Sequence, residues 1–111
     1  MKALVALVLI FSSAFVHATM REMQTGNDML YNINQAKKGD SFTSMYISGY
    51  MRGISDYALI IGGICPPDGV DMDQYIDIVA DYLNKNPINR NEPSSILAAV
   101  AMGKAFPCKK K

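Results

Sequence analysis

Only two residues of this 111-residue chain can be joined by a disulfide, Cys65 and Cys108, and both lie downstream of an export leader. They stand in the stretches Ile64-Cys65-Pro66-Pro67-Asp68-Gly69-Val70 and Ala105-Phe106-Pro107-Cys108. The leader begins Met1-Lys2, continues as an apolar run over residues 3–11 and reaches Val16-His17-Ala18, with small or β-branched residues where signal peptidase needs them. Cleavage is expected after Ala18, and residues 19–111 form the mature domain. The apolar run is shorter than the roughly 20 residues a spanning helix requires, so the chain is expected to be exported without stable membrane insertion. An exported chain folds under oxidising conditions, where an even number of cysteines is ordinarily paired, and two cysteines allow a single intramolecular bridge. The alternatives are an intermolecular bridge or two free thiols. Closing the loop between Cys65 and Cys108 would stabilise the fold by about 4 kcal/mol in the chain-entropy account.

Removing residues 1–18 leaves 93 residues, enough for one small core and too few for two. Lys2 and His17 leave with the leader, so ten Lys and Arg face ten Asp and Glu and the mature chain is near neutral. A nucleic-acid binder would show a basic surplus on one face, and only Lys109-Lys110-Lys111 forms a basic run. That run reads as a solvated tail.

Four segments repeat apolar residues at helical spacing, and no convincing strand alternation occurs. The expected fold is all-α, a small four-helix domain stapled by one disulfide. The first helix is predicted from near Met20 or Thr25 to Lys38, with Met29, Leu30 and Ile33 on one face and Gly39 ending it. The second opens at Asp40 or Ser41 and runs to about Ile61, where Gly62-Gly63 stop it. Along it Tyr46, Tyr50 and Ile54 recur every four residues, with Tyr57 and Ile61 beyond, while Gly49 and Gly53 share a neighbouring stripe. Each of these glycines costs roughly 1 kcal/mol relative to alanine. Close approach of another helix of the same subunit, or of a second subunit, is the expected compensation.

The third helix carries Asp71 as N-cap with Gln74 as capping-box partner, and Val70 against Tyr75 as a hydrophobic staple. Met72, Tyr75, Ile76, Val79 and Leu83 make its buried stripe, and Asp73, Asp77 and Asp81 an acidic ridge on the other side. Like charges four apart repel, so the ridge is either a solvated outer face or a surface complementary to a basic partner. Residues 84–91 form a polar, turn-rich connection, and Asn86, Asn89 and Arg90 within it join the ridge as candidate partner-binding residues. A fourth helix, about residues 94–105, is expected to pack Ile96, Leu97 and Val100.

The chemistry available is narrow. Ser-His-Asp and Cys-His catalysis need an imidazole, and the mature chain has none. No His or Cys cluster suggests zinc, the aspartates at 68, 71 and 73 do not follow the order of a calcium loop, and no glycine-rich phosphate cradle occurs. Carboxylates such as Glu22 and Glu92 are present, but no spacing selects a glycosidase pair. The inventory favours a binder without metal or cofactor over an enzyme.

Gly26-Asn27-Asp28-Met29-Leu30, Gly49-Tyr50-Met51-Arg52-Gly53, the Cys65 loop and the Phe106-Pro107-Cys108 end occur in an order that resembles the Rap/Tai family. Members of that family are periplasmic immunity proteins that neutralise peptidoglycan amidase effectors delivered by type VI secretion. The resemblance implies a helical protein, often a homodimer, that occupies the groove of a cognate amidase. Similar members often carry a second cysteine pair, and the matching positions here read Ile33 and Ile47, which suits an apolar contact in place of a bridge. A competing reading is a small periplasmic acid-stress chaperone similar to the HdeA family, in which carboxylate protonation near roughly pH 2 to 3 would loosen a dimer and expose apolar surface.

Overall fold

A computed structural model describes residues 24–109. Four helices run in order: α1 (Gly26–Lys37), α2 (Ser41–Ile60), α3 (Met72–Lys85) and α4 (Ser94–Ala105), with one 3₁₀ turn, Pro87–Asn89, between the last two. Each helix packs against the other three. Among the described residues no strand forms; a single antiparallel bridge joins Thr25 and Pro93. The expected leader, and a helix start at Met20, lie outside the described residues.

Local chemistry sets the helix ends. Thr25 and Asp28 form a reciprocal capping box at the start of α1, while Lys38 closes its other end and Gly39 turns away at φ +100°. Such a φ suits a residue without a Cβ. The Asp40 carboxylate accepts the Thr43 N–H at 2.8 Å to open α2, and Gly62 leaves it at φ +71°. Asp71 accepts the Gln74 N–H at 2.8 Å to open α3. The fully reciprocal box thus occurs at Thr25 and Asp28, a pair the sequence reading passed over.

The first turn of α1 is also stitched to the loop ahead of α4. Gly26 and Asn27 donate their N–H groups to the carbonyls of Glu92 and Arg90, at 3.0 and 2.8 Å, and the Ser94 N–H donates to Gln24 at 2.8 Å. A Cβ at Gly26 would stand 2.5 Å from Leu97 Cδ1 and 3.1 Å from the Arg90 carbonyl. The glycine is therefore a packing requirement, because loop and helix backbone meet there with no room for a methyl group.

Met29, Leu30 and Ile33 from α1, Ile47 and Met51 from α2, Tyr75, Val79 and Leu83 from α3, and Leu97 and Met102 from α4 fill one apolar core. Ile33 and Ile47 are both fully buried in it. The disulfide is the one expected: Cys65 and Cys108 are bonded, with their Cα atoms 4.9 Å apart. The Cys65 N–H donates to the Phe106 carbonyl at 2.9 Å, and the Phe106 ring meets Tyr75 edge-on at 5.7 Å. The end of the chain is thereby fixed onto α3 as well as onto the loop after α2.

The sequence assigned no inner face to α2, and the expectations for α4 and for the paired glycines need correction. On α2 the buried stripe is Ile47, Met51, Ser55 and Ala58; Tyr46, Tyr57 and Ile61 are exposed and Tyr50 and Ile54 sit at the margin. On α4 the buried residues are Ser94, Leu97, Ala98, Ala101 and Met102, whereas Ile96 and Val100 face outward. Both helices are apolar on most sides, so hydrophobicity alone gives no direction, and packing against the other helices decides which face is buried. Finally, a Cβ on Gly49 or Gly53 meets no atom within 4 Å. Tight packing inside the subunit does not explain these glycines.

Candidate interaction surface

The helix α3 lays its apolar stripe on the core and turns Asp73, Asp77 and Asp81 to solvent. Eight residues separate the first from the last, about 12 Å of helix at 1.5 Å per residue. The ridge is not uniformly negative. Lys37 Nζ reaches across from α1 to Asp77 at 2.8 Å, and Lys85 pairs with Asp81 at 2.8 Å. Asp73 has no ion-pair partner among the described residues. Exposed pairs of this kind contribute about 0–1 kcal/mol and break readily when a competing charge arrives. The surface is thus one free carboxylate followed by two exchangeable ion pairs.

The last turn of α3 runs directly into the connection that the sequence singled out. The Asn86 side-chain amide donates to the Tyr82 carbonyl at 2.8 Å, closing the helix end. Asn89 donates its N–H to the Asn86 carbonyl at 3.2 Å and accepts from the Glu92 N–H at 3.0 Å. Arg90 is half-buried, its carbonyl holds the Asn27 N–H, and its Nε is buried without a hydrogen-bond partner. All three expected recognition residues therefore also serve the loop's own shape. Ile88 faces outward, 86 % exposed, beside the exposed Pro87, Asn91 and Glu92. A lone isoleucine inside a run of Asn, Pro and Arg was the available signal, and polarity of the whole segment masked it.

A second outward surface lies on α2, where Phe42, Met45, Tyr57 and Ile60 are exposed. Among the described residues no three His, Cys, Asp or Glu side chains are grouped to hold a metal ion, and no helix is long and apolar enough to cross a membrane.

The family described as Rap1a immunity proteins matches residues 16–108, a span that includes both cysteines and all four helices. The chain belongs to the Rap1a immunity family. No curated protein and no solved structure matches it. A Rap1a immunity protein acts by binding a cognate type VI effector, a task that calls for surface rather than for catalytic groups. The helical, disulfide-stapled body with its polar chemistry on the outside suits that task.

Proposed function

We propose that this chain is a periplasmic immunity protein that binds and blocks a peptidoglycan amidase effector, acting as a homodimer. The supporting observation is that, in a chain of the Rap1a family, α3 turns Asp73, Asp77 and Asp81 to solvent and leads into the loop that carries Asn86, Asn89 and Arg90, with Ile88 exposed in it. An enzyme that handles an anionic cell wall needs a basic or mixed cleft, and carboxylates held in exchangeable ion pairs complement such a cleft. An exposed apolar side chain ringed by polar groups supplies the desolvated anchor around which such contacts gain strength. The export leader supports action outside the cytoplasm.

Co-purification with a toxic amidase tests the reading, followed by the charge reversals Asp77→Lys and Asp81→Lys. Retained folding with binding weakened by at least about tenfold is expected. Unchanged binding would remove the ridge from the contact zone, and failure of every candidate amidase to bind would remove the target class.

The chaperone reading predicts carboxylates whose protonation loosens a dimer and exposes apolar surface. No Asp or Glu among the described residues is buried; the buried polar residues are Ser55 and Ser94. Exposure of dye-binding apolar surface, with protection of acid-denatured clients at roughly pH 2 to 3, would favour the chaperone over the immunity protein.

A further inference from the structure

The outer face of α2 points directly away from the core stripe of Ile47, Met51, Ser55 and Ala58. Along it run Phe42, Met45, Gly49, Gly53, Tyr57 and Ile60. Phe42 is 83 % exposed, Met45 76 %, Tyr57 65 % and Ile60 82 %. Two large residues, two glycines and two large residues follow one another, so the pattern reads nearly the same from either end. About Met51 as centre, position 42 mirrors 60, 45 mirrors 57 and 49 mirrors 53.

We propose that this face is the homodimer interface, with α2 of one copy lying antiparallel against α2 of a second copy so that Gly49 of each meets Gly53 of the other. The inference rests on the homodimer reading above and names the surface that makes it. A two-fold contact uses the same patch on both copies and must be self-complementary. In the antiparallel register each Phe42 packs against the other copy's Ile60 and each Met45 against its Tyr57. The glycines let the two backbones approach, which is the compensation that the protomer alone does not provide, since a Cβ there meets open space. A heterologous partner would have no need of the mirror pattern.

Charge and area agree with this occupant. The only charges within α2 are Arg52 and Asp56, which neutralise each other across 3.9 Å, so two copies meet without a net charge. Large side chains present on the order of 150 Å² each, so the four named here with Tyr46 offer on the order of 500 Å² per copy, about 1,000 Å² in the pair, the lower bound of a specific interface. An apolar patch of about 500 Å² is toward the upper end of what a monomer exposes, and patches of that size are often functional. The acidic edge of α3 lies on a different helix and stays free for the effector.

Sedimentation velocity of the mature chain alone tests the proposal, independently of any amidase. A dimer is expected, and Gly49→Glu should raise its dissociation constant on the order of 30-fold while leaving the melting of the dilute monomer unchanged or higher, because glutamate favours an exposed helix over glycine. The register is read separately by oxidation. Phe42→Cys combined with Ile60→Cys should form a covalent dimer, whereas Phe42→Cys alone should not, its two copies standing about 27 Å apart along the axis. A wild-type monomer at high micromolar concentration, a dimer indifferent to Gly49→Glu, or cross-linking by Phe42→Cys alone would overturn the arrangement. If Gly49→Glu left the mass unchanged but abolished amidase block, the face would belong to the effector and the proposal would fall.

Discussion

The Tyr50 hydroxyl lies 2.8 Å from Ser94 Oγ, joining α2 to the first residue of α4 inside the apolar body of the protein. Ser94 is completely buried, so this hydroxyl has few other partners within reach, whereas Tyr50 is only half-buried. Removing one member therefore has unequal consequences. Tyr50→Phe should cost about 1–3 kcal/mol by orphaning a buried hydroxyl. Ser94→Ala should cost less, and the double variant less than the sum; chemical denaturation of the four proteins reads the coupling.

Gly26→Ala should destabilise by about 1–3 kcal/mol, because the added methyl presses on Leu97 and on the Arg90 carbonyl where loop and helix are hydrogen-bonded. Alanine is otherwise the better helix former, so propensity alone predicts the opposite sign. A rise in melting temperature would show that the loop ahead of α4 yields.

Replacing both cysteines by serine should lower stability by about 2–4 kcal/mol, since the bridge closes the 43-residue separation between Cys65 and Cys108. The loss should appear first at the chain end. Faster amide exchange at Cys65, whose N–H is held by the Phe106 carbonyl, is the local signature.

The Asp40 carboxyl is held below its ordinary value of 3.8, first by the backbone N–H of Thr43 and then by the Thr43 hydroxyl. A group whose folded pKa is lowered adds stability above its unfolded pKa and loses it as pH falls through the folded one. Asp40→Asn keeps the cap but not the charge that the helix N-terminus favours. The gap in melting temperature between wild type and Asp40→Asn should therefore hold above about pH 4 and shrink below it. A gap that widens in acid would contradict the assignment.

Ile88→Asp should leave the melting temperature within about 1–2 °C of wild type, since the side chain stands free of the core. Amidase block by the same variant should fall by at least about tenfold. Full retention of block would move the anchor away from Ile88.

Helix number, helix limits and the disulfide were legible in the residues, because each depends on a signal local in the chain. Gly39, Asp40, Gly62 and Asp71 fix ends through their own backbone geometry and nearest hydrogen bonds, and two cysteines leave one intramolecular pairing. The acidic ridge of α3 was equally legible, since one strongly amphipathic helix determines its own inner and outer sides. What only the packed molecule decided was orientation where a helix is apolar all round. Ile96 and Val100 could have faced inward as readily as Leu97 and Met102, and α2 had apolar residues on both sides. The choice fell to the arrangement in which four helices pack at once, a condition set by residues distant in the chain. The same condition turned Phe42 and Ile60 outward, brought Lys37 to Asp77, and left Gly49 and Gly53 facing open space.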